Sequence, residues 1–338
     1  MTNRENTLLA LTGKRPERTP CYFSDVQFFS TPLHGEALPA GASMGHDAYG
    51  VALIASPEAG GAVTPDPSVR PVIEDVCDWR ENLHLPDYRE IDWQAAAKRE
   101  GERRGAAPEQ FVQDFIYPKG PFERLHFLMG FEGALCSVLS EPEDTYDLLT
   151  AITDNKIEFI HRIAEAYHPD VITLMDDYAH QDGLLMSADT FREMFKPHLK
   201  RLVDAVHSHG ILYKQHCCGK MDALLEDFLD IGIDALDPVQ PMNNIPAMLE
   251  RTAGSVGLCG GLDVQNVVDR AGVTEEELRA EVRRCIDQYG SGGYMLYCAT
   301  VHLRDPEAYQ PGGLLHTIMD ECRMYGAGAS RAVNARRA

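Results

Sequence analysis

From about residue 111 onward, short apolar runs alternate with segments of helical period, which is the pattern of repeated βα units around a parallel sheet. The runs predict strands at Phe111–Tyr117, Val171–Asp176, Ile211–His216, Ile233–Asp237, Ser255–Cys259 and Tyr294–Cys298. Between them, Met221, Leu224, Leu225, Phe228 and Leu229 repeat at helical spacing and stop before Gly232. Thr274 opens a capping box with Glu277, followed by one apolar face of Leu278, Val282, Cys285, Ile286 and Tyr289. Ser187 caps a further helix, with Phe191, Met194, Leu199, Leu202 and Val206 in phase and a kink expected at Pro197.

The first 110 residues are less regular: an early helix at Arg4–Thr12, then a stretch rich in Gly and Pro between Thr31 and Pro71. They predict the first strand plus an elaborated cap, ahead of the main βα repeats over 111–328. Residues 93–108 are charged and helix-permissive, as a solvated face would be, and the tail 329–338 is expected to fray. At this length the chain could hold one large α/β domain or two ordinary ones, because single-domain barrels routinely exceed about 200 residues.

Charge narrows the partners. The chain carries 31 basic against 52 acidic residues, a formal net charge of −21, which repels nucleic acid and anionic membrane surfaces. No run reaches the roughly 18 apolar residues of a membrane span, and the opening residues lack a signal-peptide core, so a cytoplasmic protein is expected. Nine cysteines scattered from Cys21 to Cys322 do not make a disulfide framework.

The chemistry gathers where the strands end, the place at which barrels assemble their sites. Val171–Met175 leads into Asp176 and Asp177, with Gln181 one turn on; Ile211–Gln215 leads into His216, Cys217 and Cys218. The later runs end in Asp237 to Gln240, in Cys259 to Asp263, and in Cys298 with His302 four residues on. Imidazole and thiolate suit zinc, and His216-x-Cys218 puts both side chains on one side of an extended strand end, with Cys217 pointing away. A catalytic zinc typically takes three protein ligands and leaves a fourth position open. His216, Cys218 and Cys298 could supply them, with Cys259 the competing third, and Asp176 or Asp177 could complete the shell or orient His216. The alternative is a core histidine beside buried cysteines, with the aspartates capping helices.

Arg4-Glu-Asn-Thr-Leu-Leu through Arg18-Thr-Pro20, Asp47-Ala-Tyr-Gly-Val51, Phe122-Glu-Arg-Leu-His126 through Phe131, Asp176 through Ser187, His216-Cys-Cys-Gly219, Gly260-Gly-Leu-Asp263 and Gly292-Gly-Tyr-Met-Leu296 together resemble the uroporphyrinogen decarboxylase superfamily. The likeness is to its corrinoid-dependent methyltransferase branch and covers most of the chain. It implies a single distorted (β/α)₈ TIM barrel with an N-terminal elaboration. In the family's zinc-dependent methyltransferases a His-x-Cys pair and a distant Cys hold the metal. His216 and Cys218 match the pair, whereas Cys298 falls about two positions early and Thr300 stands where that Cys is usual. The decarboxylase branch carries arginines near its start for a polycarboxylate tetrapyrrole, and Tyr22–Gln27 contains none.

The resemblance thus implies methyl transfer between a small molecule and the cobalt of a corrinoid on a separate, transiently docked protein. The expected donor is an aromatic methyl ether undergoing O-demethylation, with Asp176, Asp177 or His302 as acid. Tyr22, Asp25, Tyr117, His126, Tyr178, Gln181 and Tyr297 are the candidate substrate contacts. Other possibilities are a methylcobamide:thiol methyltransferase of the coenzyme M kind, a uroporphyrinogen decarboxylase, and a non-enzymatic protein with a structural zinc.

Overall fold

The computed structural model describes residues 1–38, 41–56 and 62–335, with side chains through Gly326. Seven parallel strands form one sheet in chain order: β1 (Val26–Phe29), β2 (Val112–Tyr117), β3 (Val171–Met175), β4 (Leu212–His216), β5 (Ala235–Val239), β6 (Gly257–Gly261) and β7 (Tyr294–Tyr297). Every strand predicted after residue 110 is present, with its ends displaced by no more than a few residues. The strands are short apolar runs buried on both faces, as helix-covered parallel sheets require.

The far edge of the sheet returns to the near one. Cys21 makes a parallel bridge to Leu296 of β7, whose N–H donates to the Pro20 carbonyl at 2.9 Å. The architecture is therefore an α/β barrel with seven strands among the described residues, where eight were expected. The reason is local. Residues 22–25 close a helical turn, with the Asp25 N–H on the Cys21 carbonyl and the Asp25 carboxylate accepting the Cys21 N–H at 2.8 Å. One residue of this segment thus serves β7 before the turn, and four serve β2 after it.

Helices cover the outside. The Thr274/Glu277 capping box forms at the head of Glu275–Tyr289, and Gly232 takes a left-handed φ of 88° to end Leu225–Ile231. The helix expected to kink at Pro197 is instead two, Ala188–Met194 and Lys196–His207. Proline has no N–H to donate, so it fits the first turn of the second helix better than the middle of a longer one. The N-terminal region adds a three-stranded antiparallel sheet (Met44–His46, Ala52–Ser56, Ala62–Pro65) and the helix Trp93–Arg104. The last helix, Leu314–Ala335, runs into the segment 329–338, and residues 336–338 lie outside those described. Among the described residues no helix is long and apolar enough to cross a membrane.

The barrel interior is ionic beneath the site. Lys214 of β4 lies 2.9 Å from Asp114 of β2 and 2.8 Å from Asp237 of β5, and 4.2 Å from the Tyr22 ring centre. Asp114 also accepts from Tyr22 (2.9 Å) and Thr173 (2.7 Å). Burial alone would strip the proton from Lys214, but the two carboxylates outweigh it and hold an ammonium.

Candidate metal centre

Asp177, His216 and Cys218 converge at the carboxyl-end mouth of the barrel, with one ligand atom from each lying within 4.8 Å of the others. Each is delivered by a strand end. β3 stops at Met175, and the chain turns so that Asp177 accepts the Cys218 N–H at 2.6 Å. His216 is the last residue of β4, and its Nε2 lies 3.4 Å from the Cys218 sulfur and 3.9 Å from Asp177. Cys217 faces away as expected, its sulfur accepting the Tyr178 N–H.

The imidazole is aimed from behind. Nδ1 of His216 sits 2.8 Å from Asp237, which is paired with Lys214 through its other oxygen. A carboxylate at Nδ1 fixes the ring and leaves Nε2 for the mouth, which is how histidine ligands are oriented in metal sites. Burial opposes charge on Asp237, yet Lys214 and His216 outweigh it and keep its pKa below the ordinary value. Burial likewise raises the pKa of Cys218, partly offset by His216.

The loop after Cys218 is clamped. Gly219, at φ 91°, lies so close to the 179–180 backbone that a Cβ would come within 2.7 Å of the His180 carbonyl. Its N–H donates to Gln240, and Asn243 accepts from Met221 and Asp222 while donating to the Gly219 carbonyl. Asn243 carries no chemical signature in sequence, because its role is visible only once two loops meet.

The adjacent aspartates have separate tasks. Asp176 accepts the N–H groups of Phe122 (3.3 Å) and Glu123 (2.8 Å) at the start of the helix Pro121–Met129, and bonds the Tyr178 hydroxyl. A Cβ on Gly120 would fall 2.3 Å from its Cγ, so only glycine admits this carboxyl. Burial raises the Asp176 pKa to about 8, against the pull of Tyr178 and the helix N–H groups.

Two cavities meet at His216. One, of about 380 Å³, is walled by Tyr22, Phe28, Phe29 and Tyr297. The other, of about 440 Å³, is lined by Lys119, Glu123, Phe127, Asp176 and Asp177. They share Ser30, Ile116, Met175, His216 and Arg304. Lys119 and Glu123 were not singled out in sequence, where they read as ordinary loop and helix charges.

The remaining candidates lie outside the trio. Cys298 is one of them: Tyr297 of β7 lines the aromatic cavity, and strand alternation turns its neighbour away from it. Cys259 is buried lower in the barrel, facing Lys214, Asp237 and Asp114. His302 is on the turn Val301–Arg304, 4.0 Å from Asp269, and lines neither cavity. Asp25 precedes β1, at the opposite end of the barrel, and is spent on Arg18 at 2.9 Å. Tyr117 points outward, onto Phe159 and Lys156. Tyr178 is buried among Phe122, Phe191 and Phe195. His126 reaches the cavity only through Glu123, at 3.0 Å, and Gln181 is exposed on the hairpin 179–184. Tyr22 and Tyr297 do line the aromatic cavity, with ring centres 4.7 Å apart.

A model of the uroporphyrinogen decarboxylase (URO-D) family matches residues 117–299, more than half of the chain and every residue of the trio. The chain belongs to the uroporphyrinogen decarboxylase family. Within that family, it is 37% identical over 84 residues to a methylcobamide:CoM methyltransferase of Methanosarcina barkeri, a stretch covering 25% of this chain and 23% of the relative. A second protein of that description, from Methanosarcina barkeri strain Fusaro, is 37% identical over 67 residues, 20% of this chain and 18% of its own. The match thus spans about a quarter or less of these relatives' length. A solved methyltransferase from Methanosarcina mazei superposes with a TM-score of 0.65 over 99% of both chains at 18% identity, which establishes a shared fold.

Proposed function

We propose that this chain is a zinc-dependent methyltransferase that moves a methyl group between a small molecule and the cobalt of a corrinoid carried by a separate protein. The observation that carries the proposal is the trio itself: imidazole, thiolate and carboxylate converge at the open end of the barrel, beside cavities of small-molecule size. Donors of this kind suit zinc, and three of them leave a position for substrate. Zinc held by Asp177, His216 and Cys218 would supply a Lewis acid that stabilises negative charge on a substrate oxygen or sulfur.

The substrate we favour is an aromatic methyl ether. Its methyl–oxygen bond breaks with the electron pair left on oxygen, so the departing phenolate needs charge stabilisation or a proton. Tyr22, Phe28 and Tyr297 offer flat walls for the ring. Asp237 holds His216 with Nε2 toward the mouth. Asp176 lines the adjoining cavity and, with its pKa near 8, keeps a proton at neutral pH, the state an acid needs. The corrinoid protein would dock transiently over the strands' carboxyl ends. A second reading, methyl transfer to a thiol, is favoured by the local identity to methylcobamide:CoM methyltransferases.

Cobalt absorbance tests both. The protein is mixed with candidate corrinoid proteins and a panel of methoxyarenes, methylamines and thiols. Methyl transfer should occur with one of them, and should vanish in His216→Ala and Cys218→Ala proteins that remain folded. A spectrum unchanged with every donor and acceptor would overturn the proposal. Turnover of uroporphyrinogen would point to decarboxylation instead, and unfolding on loss of the metal to a structural zinc.

A further inference from the structure

Alternation along β4 sends two polar side chains into the barrel, one above the other. His216 reaches the mouth, and Lys214, two residues earlier, ends beneath it, fully buried. Tyr213 and Gln215 take the opposite face, where their side chains bond each other at 2.9 Å. Barrel interiors are usually filled by branched apolar side chains. A buried ion pair is commonly no more stabilising than well-packed apolar residues of similar volume, so stability alone gives no reason for a lysine here. Its contacts give one.

Those contacts form two arms. In the first, Lys214 Nζ meets Oδ2 of Asp237 at 2.8 Å, while Oδ1 of the same carboxylate meets Nδ1 of His216 at 2.8 Å. Asp237 and His216 are register partners on β5 and β4, so carboxylate and imidazole stand side by side on the interior face. In the second, Nζ lies 2.9 Å from Oδ2 of Asp114, and that same oxygen accepts the Tyr22 hydroxyl at 2.9 Å. Thr173 holds the other Asp114 oxygen at 2.7 Å. The Tyr22 ring centre is 4.2 Å from Nζ, and this ring is a wall of the 380 Å³ cavity, stacked with Phe28 at 5.4 Å. One buried ammonium therefore stands between the candidate metal ligand and the aromatic wall. It lines neither cavity itself.

We propose that Lys214 is a positioning residue, which sets the direction of His216 through Asp237 and the place of the Tyr22 ring through Asp114, so that metal and bound ring keep a fixed separation. The inference rests on the reading that His216 holds zinc and the aromatic cavity holds a substrate ring. An ammonium that only neutralised charge could be removed together with one carboxylate without loss to the site. An ammonium that positions could not.

Lys214→Met/Asp114→Leu draws that distinction, because it removes one positive and one negative charge, keeps the side-chain shapes close, and leaves Asp237 beside His216. Two equilibrium measurements read it without corrinoid or turnover: competition for zinc with a chromophoric chelator, and binding of anisole, a neutral methyl aryl ether, to the zinc-loaded protein. Zinc should bind about ten-fold more weakly or worse in the double variant, the scale on which support for a ligating histidine is lost. Anisole should bind about five-fold more weakly, as loss of one well-placed aromatic contact would give. Should that variant not fold, Lys214→Gln/Asp114→Asn takes its place with the same zinc expectation, since Gln keeps a polar end but is one atom too short to reach where Nζ lies. Either affinity within about two-fold of wild type in a folded Lys214→Met/Asp114→Leu protein, or unchanged zinc affinity in its replacement, overturns the assignment. A wild type that takes up no zinc defeats the metal reading, and this inference with it. Zinc and anisole bound equally by wild type and double variant defeat this inference alone.

Discussion

Asp237→Asn changes one atom and places two donors in conflict. In the wild type one oxygen of Asp237 meets His216 Nδ1 and the other meets Lys214, each at 2.8 Å. An asparagine has a single oxygen for the two. Turned toward Lys214, it sets its NH₂ against Nδ1, so the imidazole proton must move to Nε2, the nitrogen facing Asp177 and Cys218. Turned toward His216, it sets its NH₂ against a buried ammonium. Breaking a buried pair costs about 3–5 kcal/mol. Because Lys214 keeps Asp114 at 2.9 Å, the lower end, about 3 kcal/mol, is expected for the metal-free protein. Loss of such a supporting carboxylate weakens metal binding by about 10- to 100-fold. Urea unfolding of the metal-free protein gives the first quantity, and competition for zinc with a chromophoric chelator gives the second. If Asp237→Asn loses stability but binds zinc within about two-fold of wild type, Asp237 only balances Lys214 and the orienting role is wrong.

Three further outcomes follow from the same geometry. Cys298→Ala should leave zinc content unchanged, since Cys298 is not among the groups that converge at the mouth; loss of the metal, read by elemental analysis, would return Cys298 to the ligand set. Gly120→Ala should destabilise by about 1–3 kcal/mol in urea, the cost of overpacking, because the added carbon meets the Asp176 carboxyl; an unchanged midpoint would show that Asp176 can move aside. Lys119 should leave a pH signature: between its folded pKa of about 8 and the ordinary 10.5, the unfolded chain holds the proton and the folded chain does not, so its contribution to stability rises with pH there. Relative to Lys119→Gln, the wild type should gain on the order of 3 kcal/mol from pH 7.5 to 10.5, and a difference independent of pH would refute the depressed value.

What could be read from the chain was what period and spacing encode. Apolar runs located the six later strands, and a His-x-Cys at the end of one of them placed two candidate ligands on one side. The same alternation could have decided two questions that stayed open. Tyr297 and Cys298 are adjacent on a strand end and cannot both face the interior, and Asp176 and Asp177 could not be expected to share one task. A lysine two residues before His216, inside an apolar strand, was also a legible sign of buried carboxylate partners. Lys119, Glu123 and Asn243 left no such trace, because each acquires its role from loops distant in sequence. Asp25 misled because its neighbour Tyr22 does enter the barrel; the helical turn between them, fixed by Arg18 and Cys21, sends Asp25 to the other end.

The central claim is that Asp177, His216 and Cys218 hold one zinc through a single sulfur. Zinc K-edge X-ray absorption on the wild-type protein, with elemental analysis of the same sample, reads both numbers at once. The account predicts one zinc per chain with one sulfur neighbour, the rest nitrogen and oxygen, and no sulfur contribution that disappears in Cys298→Ala. A zinc with two or more sulfur neighbours, or a protein that binds no zinc when supplied with it, would contradict it.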